Sequence, residues 1–222
     1  MVFPRTIRAV VFDMDGLLID SEALVREAVD RAIAGMGFAM PPGLFGKMIG
    51  LPLAGSMGVL TDHFGPDFSL DVFLIEERRH IAILFAEGVA LKTGVVELLD
   101  FLDALGLPRA VATSSSRESV AEHLGHHGIR DRFGAVVARE DVARHKPHPD
   151  PYLAAAAALG VDPADCLALE DSHNGVRAAH AAGMMTIMVP DLLDPTEEMA
   201  EKTVHIAESL HEVRRLLLEH RG

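Results

Sequence analysis

Five short apolar runs punctuate this chain, with helical patterns between them, and that alternation leaves few folds open. The runs are residues 7–12 (Ile-Arg-Ala-Val-Val-Phe), 109–112, 134–138, 166–169 and 185–189. The first is short, β-branched and ended by Asp and Gly, the pattern of a strand buried on both faces. Helical patterns occupy about 94–105, 116–127, 149–159 and 173–182. Such alternation implies right-handed crossovers and a parallel sheet, and so an α/β fold.

One stretch breaks the pattern. From Leu18 to Gly88 no strong strand stands out. Asp20-Ser21-Glu22 leads into a helix through Ala34, and a second helical run extends from Leu70 to Phe85. Between them the chain is rich in Gly and Pro (Pro41, Pro42, Gly43, Gly46, Gly50, Pro52, Gly55). We read residues 18–88 as a small helical domain inserted after the first strand, with 1–17 and 89–222 forming the α/β core. Near the C-terminus, Leu210, Val213, Leu216 and Leu217 stand at helical spacing, which predicts a helix from Glu208 to His220 covering a face of the sheet.

Size and charge narrow the function. A chain of 222 residues can bury a proper core and hold one large domain with a smaller insert. Its formal charge of −13 argues against broad nucleic-acid binding, which needs a basic footprint. An anionic substrate must then be drawn in by a local cation, because the overall field repels it. No stretch is apolar enough for a bilayer and no secretion signal stands at Met1-Val2-Phe3-Pro4-Arg5, so no membrane partner is expected. Cys166 is the only cysteine and sits in an apolar run, which suits a buried structural thiol and a reducing cytoplasm.

The chemistry lies where the apolar runs stop. The first ends in Asp13-Met14-Asp15-Gly16, two carboxylates one residue apart. At the carboxyl edge of a sheet, where α/β folds place ligands, one of them can attack phosphorus while the other trades protons with the leaving group. The second ends in Thr113-Ser114-Ser115-Ser116, hydroxyls and a helix start that can face an anion or simply cap the helix. A third motif puts Lys146 in a loop made rigid by Pro147, Pro149 and Pro151, where a fixed ammonium could neutralise a phosphate and an aspartate together. The fourth ends in Glu170-Asp171 ahead of a helix. Gathering Asp13, Asp15, Glu170 and Asp171 at one edge is costly without a cation, and few hard oxygen ligands with a phosphate to share suit Mg²⁺.

In this order, the four motifs resemble the haloacid dehalogenase superfamily, in its phosphatase and β-phosphoglucomutase-like branch. The resemblance spans about Arg8 to Val189 and implies a Rossmann-like core with a helical cap after the first strand. It implies that Asp13 is the nucleophile forming an aspartyl-phosphate. Asp15 would be the general acid and base, with its backbone carbonyl on the metal. The phosphoryl group would meet the hydroxyl of Thr113 or Ser114, Thr113 being the one that ends the apolar run, and the Ser114 amide. Lys146 would bridge Asp13 and the phosphate; Asp171 would bind Mg²⁺, with Glu170 beside it or behind it.

The expected activity is Mg²⁺-dependent hydrolysis of a small phosphorylated metabolite by a monomeric enzyme. A dehalogenase does not need the proton donor at Asp15, and Lys47, the insert's one lysine, gives no sign of a phosphonatase's Schiff base. The main alternative is a β-phosphoglucomutase-like mutase. Mutases of the family carry a histidine where this chain has Val25 and a cap-loop arginine where it has Leu53. The catalytic set could also serve a phosphate-binding sensor. His126-His127, His145, His148 and His173 read as surface histidines, and Arg78-Arg79-His80 as a solvated helix face that could still meet a substrate's distal group.

Overall fold

A computed structural model describes residues 3–49, 51, 53–86 and 88–220. Gly50, Pro52 and the side chain of Leu53 lie outside the described residues, and so does the mutase comparison at Leu53. The chain divides into two compact units: residues 1–19 with 91–222, and residues 20–90.

The larger unit is a six-stranded parallel sheet in the order β3-β2-β1-β4-β5-β6. Its strands are β1 (Ala9–Phe12), β2 (Arg109–Ala112), β3 (Ala135–Val137), β4 (Cys166–Glu170), β5 (Met185–Met188) and β6 (His205–Ile206). This is the Rossmann-like order, whose direction of winding reverses beside β1. Every residue of β1, β2, β4 and β5 is buried, which is why these strands read as unbroken apolar runs. On one face Ala9, Val11, Ala110, Ala112 and Ala168 pack with Tyr152, Ala155, Ala178 and Ala179. Those partners come from α6 (Asp150–Leu159) and α7 (His173–Ala181). Small side chains on both surfaces let these helices approach closely. The alternate residues Val10, Phe12, Val111, Leu167 and Leu169 are equally buried.

The remaining helices of this unit are α4 (Val95–Ala104), α5 (Arg117–His126), α8 (Glu197–Lys202) and α9 (Leu210–His220). The amphipathic face of α9 is buried through Leu210, Val213, Leu216 and Leu217, and the helix packs on α4. Sequence reading passed over β6, two residues long, and α8, a six-residue helix whose only large apolar residue is Met199.

The smaller unit contains α1 (Ser21–Gly35), α2 (Leu53–Phe64) and α3 (Leu70–Ala86). Val29, Ala32, Ile33, Leu60, Phe68 and Phe73 form its core, extended by the rings of Phe38 and Phe64. The helix α2 lies in and beyond the Gly- and Pro-rich middle of the insert, where the sequence assigned no separate helix. The boundaries also differ from the 18–88 assigned from sequence. Leu18 and Ile19 are fully buried, their amides bond back to Met14 O, and Ile19 bridges to Leu91, so both belong to the sheet unit. No helix among the described residues is long and apolar enough to cross a membrane.

Cys166, at the start of β4, is fully buried. Burial, with Asp165 and Asp162 nearby, pushes its thiol from 9.0 up to about 11. At pH 8 that cuts the thiolate fraction about 100-fold, and thiolate is the reactive form. Iodoacetamide at pH 8 should therefore leave the native protein unlabelled by mass spectrometry and label it once in urea.

Candidate active site

Strand register puts the site residues level with one another. Phe12 pairs with both Val111 and Leu169, so the chain leaves β1 at Asp13 beside the ends of β2 and β4. The Asp13 amide donates to Leu169 O at 3.0 Å, and the Thr113 amide to Val137 O at 3.0 Å. Asp13 and Thr113 thus extend their strands by one bonded amide, which fixes where both side chains start.

The Lys146 ammonium organises this edge. Its Nζ lies 2.5 Å from Asp13 Oδ1 and 2.5 Å from Glu170 Oε1, with all three side chains largely buried. Glu170 Oε1 also accepts from the Tyr152 hydroxyl at 2.7 Å, and Oε2 accepts from the Asp171 amide, the Ser172 amide and Ser172 Oγ at 3.0–3.1 Å. Lys146 itself comes from the loop before α6, where Arg144 pairs with Asp150 at 3.0 Å.

Charge and burial set the protonation of these groups. Burial pushes the Asp13 carboxyl up to about 7, Lys146 pulls it back, and Glu170 and Asp15 add to the push. Burial alone disfavours the Lys146 ammonium, but Asp13 and Glu170 hold it above its ordinary value. Burial likewise works against the Glu170 anion, and Lys146 with the Tyr152 and Ser172 donors keeps it below the usual carboxylate range. Asp171 is held well above that range by burial, Glu170 and Asp13. Tyr152 is also raised, by burial and the same anions, and so remains a neutral donor.

Asp13, Glu170 and Asp171 each bring a carboxylate oxygen within 4.8 Å of the others'. Three hard oxygens crowded together, one of them driven toward protonation by its neighbours, are a donor set that fits a divalent cation. The Asp15 carboxylate is engaged separately: Ser115 Oγ donates to Oδ2 at 2.6 Å and Thr113 Oγ1 at 3.3 Å. Of the two candidate hydroxyls, Thr113's is buried and reaches Asp15, whereas Ser114 is exposed.

Two glycines let backbone pass these carboxylates. A Cβ on Gly16, whose φ is +80°, would run into Asp171 Oδ2 and come within 3.3 Å of Asp191 Oδ2. A Cβ on Gly175, in the first turn of α7, would overlap the Glu170 carboxylate.

Sequence reading did not single out Ser115, Tyr152, or the pair of Lys92 and Asp191, joined at 2.6 Å across 99 positions. Ser115 was one of three consecutive serines, and only the geometry separates it. Tyr152 sat inside an alanine-rich helix. Of the residues read as surface groups, His145, His148, Arg78 and Arg79 are exposed, with Arg79 paired to Glu76 on its own helix at 2.7 Å, whereas the His80 side chain is mostly covered. Lys47 is exposed too.

Residues 10–189 match the model of the haloacid dehalogenase-like hydrolases. YhcW of Bacillus subtilis, provisionally named a phosphatase, is 36% identical over 217 residues, covering 96% of this chain and 97% of that one. Hexitol phosphatase B of Escherichia coli K12 is 35% identical over 195 residues, 86% of each. The crystal structure of a hydrolase of this family from Deinococcus radiodurans R1, with bound phosphate and sodium, superposes with a TM-score of 0.84 at 28% identity, covering 96% of both chains. The chain belongs to the haloacid dehalogenase-like hydrolases. Within them it falls in the phosphatase and β-phosphoglucomutase-like branch, among the phosphoric monoester hydrolases.

Gly175→Ala is expected to cost about 1–3 kcal/mol of stability in urea denaturation, because it overpacks a buried carboxylate. Gly125→Ala, in α5 with nothing within 4 Å of its Cβ, should be neutral or stabilising by up to ~1 kcal/mol.

Proposed function

We propose that the protein is a Mg²⁺-dependent phosphatase that hydrolyses a small phosphate monoester, a sugar phosphate or similar metabolite, through an aspartyl-phosphate on Asp13. The observation that carries this reading is the Lys146 ammonium held 2.5 Å from Asp13 Oδ1 beside the carboxylates of Glu170 and Asp171.

Asp13 attacks the phosphorus and the ester oxygen leaves. Asp15 gives that oxygen its proton, then takes one from the water that attacks the phosphorylated Asp13, so the products are an alcohol and inorganic phosphate. Ser115 and Thr113 hold the Asp15 carboxyl between these steps. Lys146, the Thr113 hydroxyl and the Ser114 amide offset the negative charge that spreads over the phosphoryl oxygens. Asp13, Asp171 and the Asp15 carbonyl would hold the Mg²⁺, with Glu170 beside them. When bound, the ion supplies charge neutralisation at the phosphoryl group.

The unit of residues 20–90 serves in this reading as a cap that excludes water and selects the leaving group. Its Val25 offers no proton-transferring group, which favours hydrolysis over mutase chemistry. A single chain is taken as the active unit. One buried thiol and no disulfide suit a cytoplasmic enzyme.

The test is phosphate release across a panel of phosphorylated metabolites with Mg²⁺, including hexitol phosphates and β-glucose 1-phosphate with a bisphosphate primer. We expect turnover on at least one monoester, abolished by EDTA and by Asp13→Asn, with the variant melting as the parent does. Substantial turnover by the folded Asp13→Asn protein rules out covalent catalysis at Asp13. Conversion of the sugar phosphate without phosphate release assigns a mutase.

A further inference from the structure

The chain's single tyrosine has no role in the mechanism above, yet both ends of its ring system meet the site. Tyr152 lies in the first turn of α6 and is fully buried. Its hydroxyl donates at 2.7 Å to Glu170 Oε1, the same oxygen that accepts from Lys146 Nζ at 2.5 Å. The Lys146 nitrogen also lies 5.1 Å from the centroid of the tyrosine ring, within range of cation–π attraction. Tyr152 therefore touches the ammonium on one side and that ammonium's second carboxylate on the other.

A lysine tip sits on a long flexible stem, and fixing it costs rotamer entropy that one contact rarely offsets. An ammonium has three N–H donors. With one on Asp13 and one on Glu170, the third is left for a phosphoryl oxygen. That division holds only while Glu170 stays in place. Its other oxygen is tied to the turn that starts α7, and Oε1 is tied by Tyr152. Without the phenol, Oε1 keeps only the ammonium as donor among the described contacts, so the carboxylate can turn about its Oε2 anchor and the ammonium loses its fixed partner.

We infer that Tyr152 is a positioning residue for Lys146: its hydroxyl fixes Glu170 Oε1 and its ring face supports the ammonium, which keeps Nζ against the Asp13 carboxylate during turnover. The inference rests on the phosphatase reading above. It concerns the rate of phosphoryl transfer rather than substrate affinity, because Tyr152 touches neither the phosphate-facing hydroxyls nor Asp15.

Tyr152→Phe keeps the ring and removes the hydroxyl. With p-nitrophenyl phosphate and saturating Mg²⁺ we expect kcat to fall about tenfold, the scale of one lost hydrogen bond, with KM within about twofold. A second readout follows the lysine directly. In ¹⁵Nζ-lysine NMR, the Lys146 resonance, identified by its loss in Lys146→Met, should shift or exchange faster in Tyr152→Phe while the other lysines hold. A wild-type kcat, or a lowered kcat with the Lys146 resonance unmoved, overturns the positioning role. Failure of the underlying reading looks different, since the wild-type protein would then release no phosphate or Asp13→Asn would keep its rate.

Discussion

A buried ammonium shared by two carboxylates is the constraint on which this molecule turns. Taking Lys146, Asp13 and Glu170 out of water costs several kcal/mol per ion, and the mutual attraction repays it only with close, well-directed contacts. Nζ sits 2.5 Å from both acids, and Glu170 has five donors in all. Such an arrangement is demanding rather than stabilising. It requires β1 and β4 to be neighbours in register, a turn at Asp171–Ser172 that aims amides back at the carboxylate, and a loop before α6 that delivers the lysine.

The rest of the fold supplies those requirements. Strand order places β1 between β2 and β4, so hydroxyls arrive on one side of Asp13 and acids on the other. Alanines on one sheet face bring α6 and α7 in closely, and with them Tyr152 and the turn that holds Glu170. A side chain at Gly16 or Gly175 would run into the carboxylate of Asp171 or Glu170. Burial, Glu170 and Asp13 together hold the Asp171 carboxyl well above its ordinary range, which shows how crowded with acids this edge is.

Much of this was legible in the sequence because strands buried on both faces are apolar throughout, so the residue that ends each run stands out. Asp13, Glu170 and Asp171 stood out that way and Lys146 by its proline-bound loop; the structure puts Lys146 against Asp13 and Glu170, with Asp171 beside them. What stayed hidden depends on partners distant along the chain. That Thr113 is buried and Ser114 exposed follows from the pairing of the Thr113 backbone with Val137, which no local pattern reveals. Asp191 meets Lys92 through the tertiary fold. The helix α2 was missed because Gly55 and Gly58 weaken its helical signal. Leu18 and Ile19 look like the start of the insert, and only their burial against the sheet unit assigns them to it.

The central claim is that these strand ends converge on one divalent cation. Anomalous diffraction from crystals soaked in Mn²⁺ tests it most directly. The account predicts one strong peak in contact with the Asp13 and Asp171 carboxylates, with Lys146 still against Asp13. A well-ordered site at saturating Mn²⁺ with no peak there, or with the ion held by other residues, would contradict it.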